Sequence, residues 1–261
     1  MVVVEDGTEG VDEAALGGAR LLRLPHVRRS RARNAGVEAA TTPYVAFLDE
    51  DDLCLPGRLE RQRAELEQAS GAAMSYGRVV VVNGDLQPIA AWNDILAGRF
   101  DSLVARSSTF EAIAELGGPL YLSATMVRRD AFLAAGGFDP SFDAHEDLDL
   151  YLRLARDGGL VPCLGEPVTL YRVHGANTPS DDLYRGTLGV TAKHLAATSG
   201  RARQALLERR VDALWSLGEF AEARREAFAA ALSEPRLLGH PRFVKRLLGL
   251  AAPTRVLEGR R

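Results

Sequence analysis

The sequence predicts an α/β fold, a mostly parallel sheet flanked by helices, with a helical extension at its C-terminal side. Three observations carry this expectation. Short apolar runs alternate with helix-like stretches through about residue 171, and one of those runs ends in four consecutive carboxylates, Asp49-Glu50-Asp51-Asp52. From about residue 181 the composition changes to Ala, Leu and Arg at helical spacing. Strands alternating with helices indicate a layered sheet with sites at the strand ends.

Taken in order, Val2-Val3-Val4 reads as a short buried strand ended by the turn-like Glu5-Asp6-Gly7-Thr8. Residues 30–40 suit a helix with Arg31, Arg33 and Asn34 near its start. Residues 44–48 form an apolar strand leading directly into the acidic tetrad, and Pro56 opens a helix that continues through 59–68. Residues 73–82 read as one strand followed by the tight-turn signal Asn83-Gly84. The stretch 92–118 mixes loop and helix. A strand is expected over 120–128, and a short helix over 129–135 closed by Gly136-Gly137. A periodic helix over 146–156 precedes strand-like pieces at 160–164 and 168–171. These elements make residues 1–180 one domain and 181–261 a helical extension. Within the extension, Leu217-Gly218-Glu219-Phe220 with Ala223, Ala230 and Pro235 resembles one tetratricopeptide unit, too little for a solenoid.

Composition narrows the class. Of 261 residues, 46% are hydrophobic and 26% charged, which is ordinary for a globular protein. No run approaches the roughly 20 apolar residues a membrane helix needs. The opening apolar run is too brief for a signal peptide. Cys54 and Cys163 form neither a disulfide framework nor a zinc ligand set, so a reducing cytoplasm is expected. The net charge of −3 divides into −10 over residues 1–181 and +7 over 182–261. That basic extension reads as a solvated helical face, or as a surface drawn to anionic membrane or to an anionic acceptor carrier. Nucleic acid is not an expected partner.

Four features could carry chemistry. The tetrad Asp49–Asp52 at a strand end suits a divalent cation, Mg²⁺ or Mn²⁺, bridging substrate phosphates, and reads equally as a solvated acidic turn. If the chain stays extended there, Asp49 and Asp51 face one side, Glu50 and Asp52 the other. Glu146-Asp147 opens a helix, where the dipole favours negative charge with or without a catalytic role. As a functional pair it offers a general base beside a sugar hydroxyl. Arg172 and His174 follow a strand and could meet a diphosphate or a metal. Arg31, Arg33 and Asn34 at a helix start suit an anion, or are ordinary surface polar groups.

In this order the pieces resemble glycosyltransferase family 2, the inverting transferases of GT-A (Rossmann-like) fold. The segments Val3–Thr8, Ala32-Arg33-Asn34-Ala35-Gly36, Tyr44–Asp52, Gly136-Gly137-Phe138-Asp139 with Glu146-Asp147, and Tyr171–His174 carry the resemblance, over roughly residues 2–180. It implies a nucleotide-sugar donor, most plausibly a UDP-sugar, and a carbohydrate or lipid-linked acceptor. Asp6 would contact the nucleotide base and Arg33 would lie near the donor. Asp51, assisted by Asp49, would hold the Mg²⁺ or Mn²⁺ against the donor diphosphate, with Arg172 and His174 binding that diphosphate or its metal. Asp147 would be the base and Glu146 would orient the acceptor. Members usually begin with a further strand and helix ahead of the Asp6 region, so a gap or exposed edge in the sheet is expected here. Glu5 stands where Asp is commoner. Two other readings remain open: a two-metal phosphodiester hydrolase built on Asp49–Asp52, and a degenerate transferase serving as a scaffold through its helical extension.

Overall fold

A computed structural model of the chain describes residues 1–7, 10–117, 120–174 and 180–250. Thr8 of the predicted acidic turn, Gly118 and residues 251–261 of the extension lie outside them. The first two strands, β1 (Val2–Asp6) and β2 (Arg20–Leu24), pair in parallel as a separate two-stranded sheet, and helix α1 (Arg29–Ala39) packs on β1. Strand β3 (Tyr44–Ala46), strand β4 (Leu53–Cys54) and helix α2 (Arg58–Gln68) follow. Next come β5 (Met74–Gly77), β6 (Val79–Val82), α3 (Ala90–Ala105), α4 (Phe110–Leu116), β7 (Thr125–Arg128) and α5 (Arg129–Ala134). The catalytic-looking carboxylates open α6 (Glu146–Asp157), which precedes β8 (Leu160–Cys163) and β9 (Thr169–Arg172). The chain closes with α7 (Ser180–His194), α8 (Gly200–Ser216), α9 (Phe220–Ser233) and α10 (Pro241–Leu247).

The central sheet has the order β3-β7-β5-β8, and a second sheet the order β4-β9-β6. Pairing is mixed. β7 runs antiparallel to both β3 and β5, and β4 antiparallel to β9, whereas β5–β8, β6–β9 and β1–β2 are parallel. Among the described residues no ladder joins β1–β2 to β3.

Several boundaries differ from the expected ones for physical reasons. The single strand expected over 73–82 is broken at Arg78, so that β5 belongs to the central sheet and β6 to the second. The crossing is tight, because a Cβ on Gly77 would stand 2.5 Å from Val168 Cγ2. The ambiguous 92–118 stretch holds two helices; Trp92 and Ile95 of α3 are exposed while Phe100 and Leu103 are buried, which blurs its apolar period. Only the second half of the 120–128 segment is strand, since Leu122–Ala124 forms a 3₁₀ turn. Pro56 lies two residues ahead of α2, whose N-cap is Gly57.

The main core crosses residue 180 without interruption: Val190, Ala202 and Leu206 pack in the same buried cluster as Phe142, Leu150 and Tyr151. Gly186 of α7 allows this close approach, because a Cβ there would meet the Ala144 carbonyl oxygen at 2.4 Å. Farther out, α9 buries Ala223, Ala227 and Ala230 and turns Phe228 and Leu232 to solvent beside the exposed Arg224 and Arg225. No described helix is long and apolar enough to cross a membrane.

Candidate functional site

The site forms where the loop after β3, the start of α1, the start of α6 and the end of β9 converge. Beneath it, Phe47, Phe132 and Phe138 pack with ring centroids 5.3 to 5.9 Å apart. Such aromatic contacts fix the level of the loop above. Arg33 lies over the Phe138 ring at 5.8 Å. From there its guanidinium reaches two carboxylates far apart in sequence, Asp49 Oδ1 at 2.7 Å and Glu146 Oε1 at 2.5 Å. Burial opposes the Arg33 charge, but Asp49, Glu146 and Asp147 outweigh it and raise its pKa.

The spacing between those two carboxylates has its own support. Asn34 donates through Nδ2 to the Phe138 carbonyl and accepts the Phe138 N–H on Oδ1, both at 2.9 Å. Gly137, at φ +67°, leaves room for this, since a Cβ there would fall 2.7 Å from Asn34 Oδ1. Thus the Arg33-Asn34 pair and the Gly136–Asp139 block, separate motifs in the sequence, form one unit.

At the start of α6, His145 takes a left-handed conformation (φ +62°) that turns the chain so that Glu146 and Asp147 head the helix. Glu146 is buried, and its Oε2 has no hydrogen-bond partner among the described residues. Asp147 Oδ1 accepts the Leu148 N–H at 2.7 Å. Burial raises the pKa of both carboxyls; the Asp147 charge adds to the rise at Glu146, and Arg33 works against it at both. A raised carboxyl pKa makes a stronger base. Two residues on, Asp149 serves the packing of α6 on α7. It is fully buried and binds His194 at 2.8 Å, Lys193 at 2.9 Å and Arg153 at 2.7 Å.

The acidic tetrad is a turn, not an extended strand end, closed by the Asp52 N–H on the Asp49 carbonyl at 3.1 Å. The four carboxylates therefore diverge instead of alternating. Asp49 meets Arg33, Glu50 is exposed, Asp51 Oδ2 lies 2.8 Å from His174 Nε2, and Asp52 is buried. Asp52 Oδ1 accepts the Arg172 N–H at 2.9 Å, which ties the tetrad to β9. Arg172 Nε is buried without a hydrogen-bond partner among the described residues. Asp51 and His174 form a small mixed oxygen and nitrogen donor pair, while Asp49 in the same turn is engaged by Arg33. Mg²⁺ and Mn²⁺ commonly take one or two carboxylates and complete their shell with substrate phosphates and water, so this set fits such an ion. Among the described residues no three His, Cys, Asp or Glu side chains converge as a self-sufficient metal cage.

Asp6 stands apart. Its Oδ1 accepts the Val27 N–H at 2.5 Å, two residues ahead of α1, and it makes no hydrogen bond to the Arg33 bridge among the described residues. Glu5, where Asp is commoner in the family, is buried and accepts from Arg23 Nε at 3.0 Å.

Several contributors received no role from the sequence. Arg58 is 1% exposed and donates to the carbonyls of Phe47 at 2.8 Å and Thr125 at 3.0 Å, with Gln62 holding its Nε at 2.9 Å. It anchors the strand end from which the tetrad departs. Ser123 Oγ accepts the Asp49 N–H at 2.9 Å. Tyr121 and Tyr171 pack at 4.4 Å between centroids. Burial raises both of their pKa values; Tyr121 also feels Arg99 and Asp147, and Tyr171 feels the tetrad. Nothing local marked Arg58, Ser123 or Tyr121; Tyr171 lies in the Tyr171–His174 segment, where the attention falls on Arg172 and His174.

Comparison with known proteins accords with this geometry. The pre-mycofactocin glycosyltransferase of Mycobacterium tuberculosis is 29% identical over 180 residues, covering 65% of this chain and 36% of that protein. The amylovoran biosynthesis glycosyltransferase AmsE of Erwinia amylovora is 27% identical over 176 residues, 64% of this chain and 59% of AmsE. The chain therefore spans less than two thirds of the length of these relatives. Among solved structures, S. aureus TarS 1-349 in complex with UDP superposes with a TM-score of 0.58 at 15% identity, covering 94% of this chain and 69% of TarS. The TarS complex with UDP-GlcNAc gives 0.57. That likeness shows the GT-A fold. Residues 25–199 match the family described as "Glycosyltransferase like family 2", and the chain belongs to it.

Proposed function

We propose that the chain transfers a sugar from a nucleotide-sugar donor, a UDP-sugar, to a hydroxyl of a carbohydrate or lipid-linked acceptor, with inversion. The observation that carries this reading is the Arg33 bridge, which holds Asp49 of the donor-side turn and Glu146 of the acceptor-side helix within one guanidinium's reach. On this reading Asp147, made more basic by burial, takes the acceptor proton. Glu146 orients the acceptor hydroxyl with its unpartnered Oε2. Asp51 and His174, assisted by Asp49, would hold Mg²⁺ or Mn²⁺, which when bound offsets charge on the departing diphosphate. The orphaned Arg172 Nε suits a diphosphate oxygen. Asp6 contacts the nucleotide base. A base facing the anomeric carbon opposite the leaving group gives single displacement, hence inversion.

We place this activity in the cytoplasm, at the inner face of a membrane. The α9 face with Phe228, Leu232, Arg224 and Arg225 supports peripheral contact with anionic lipid.

Calorimetry with UDP and Mn²⁺ tests the reading. Binding that needs Mn²⁺ and disappears in Asp51→Ala is expected. Silence toward UDP and other nucleoside diphosphates, with or without metal, would instead favour the scaffold reading, and phosphodiester cleavage without sugar transfer the hydrolase.

A further inference from the structure

A cavity of about 190 Å³ lies against the start of α6, walled by His145 and Leu148, which flank Glu146 and Asp147 in sequence, by Arg99 of α3, by Thr187 and Thr191 of α7, and by Arg209 of α8. Its chemistry is cationic, for no Asp or Glu lines it. Arg209 donates to the carbonyls of Ala114 and Glu115, and Arg99 to that of Leu116, all at the C-terminal end of α4. A helix C-terminus supplies roughly half an elementary negative charge, against two full positive charges here. Carboxylates near Arg209 are engaged elsewhere: Glu115 with Arg106, Asp212 with Arg246, Glu208 with His240. No ion pair to either arginine is formed among the described residues. Burial, reinforced by repulsion from Arg99, lowers the Arg209 pKa to about 10. The threonine hydroxyls donate to their own helix, Thr187 to Leu183 and Thr191 to Thr187, so the free donors are guanidinium N–H groups.

The charges of Glu115, Glu208 and Asp212 act on Arg209 from outside the cavity, while the cavity wall itself carries two guanidiniums and no carboxylate. At about 30 Å³ per water the cavity holds roughly six waters, enough for a phosphate or carboxylate but too small for a nucleotide. The donor groups Asp51, His174 and Arg172 are absent from its walls.

We propose that Arg99 and Arg209 bind an oxyanion carried by the acceptor, a phosphate or a carboxylate, and so hold its hydroxyl beside Asp147. The identification of this anion as the acceptor's rests on the transferase reading; the anion site itself does not. Glycerol 3-phosphate and glucuronate serve as phosphate and carboxylate probes, titrated calorimetrically into the full chain at concentrations on the order of tens of millimolar, with and without saturating UDP and Mn²⁺. Binding that persists beside UDP, survives Asp51→Ala, and weakens about tenfold or more in Arg99→Gln is expected, since a charge-assisted pair is lost. Arg99→Lys should recover part of it. The tighter probe identifies the class of acceptor anion. Absence of heat with both probes, or binding abolished by UDP and indifferent to Arg99→Gln, overturns the proposal. Probe binding that responds to Arg99→Gln in a chain that never binds UDP would keep the anion site and remove the transferase reading. Arg99 is partly exposed, so its variants should stay folded, and unchanged circular dichroism melting confirms that they are.

Discussion

Replacing Asp149 with Asn removes the charge that joins α6 to α7. In the native chain this carboxylate is fully buried, and it collects His194, Lys193 and Arg153. Burial pushes its pKa up, but hydrogen bonds from His194 and Lys193 and the charge of Arg153 outweigh that, and the net shift is downward. Breaking a buried ion pair by removing one partner costs about 3–5 kcal/mol. Lys193 is 36% exposed and can turn to water, while Arg153 and His194 cannot turn as easily. A loss of about 3 kcal/mol is therefore expected, after the exposed partner is discounted. For a chain of this size that lowers Tm by roughly 6–12 °C.

Acid should erase the difference. A depressed carboxylate pKa stabilises the fold above the unfolded value of about 3.9, and the contribution is lost as pH falls through the native value. The parent–variant gap in urea midpoint should be constant from about pH 7 to 5 and should narrow below about 3.9. A variant melting within about 1 °C of the parent at neutral pH would refute the argument. So would a gap that stays undiminished in acid.

Four further outcomes are expected. Asp147→Asn should keep UDP binding while UDP release from the cognate donor in the presence of acceptor falls about 10²–10⁴-fold, the usual contribution of a general base. Arg33→Gln removes the cation that restrains the Glu146 and Asp147 pKa values, so the acid limb of the pH–rate profile should move to higher pH. Gly186→Ala should destabilise the chain despite alanine's helix preference of about 1 kcal/mol, because the new methyl meets the Ala144 carbonyl; thermal melting reads this. Phe228→Ser with Leu232→Ser should reduce pelleting with anionic vesicles, and low-salt pelleting that is unchanged would remove the membrane contact.

The sequence made the site legible where chemistry sits in adjacent residues. Arg33, Asp49, Asp51, Glu146, Asp147, Arg172 and His174 were all identifiable from short motifs, and the fold gathers them. It could not separate their partners, because those are tertiary. Asp52 reads as one of four equal acids until the Arg172 N–H turns it inward. Asp149 reads as a third α6 carboxylate until Lys193 and His194 come across from α7. Arg58 looks like a surface arginine in a charged helix, yet it commits its donors to the carbonyls of Phe47 and Thr125. The break at Arg78 was hidden by a strand-like run whose two halves are each good strand.

The Asn34–Phe138 splice separates geometry from sequence length. Positions 49 and 146 take their spacing from neighbouring residues of α1, not from the long stretch of chain between them. The stretch from α3 to the start of β7 is tied to the site at Ser123 and to the core through Phe100, Leu103, Phe110 and Ile113, so only its exposed outer face, with Trp92 and Ile95, can change while Asp49 and Glu146 keep station. That stretch also carries Arg99 of the cavity wall and packs through α4 against α8, so on the transferase reading its outer face is where a change of acceptor would be accommodated.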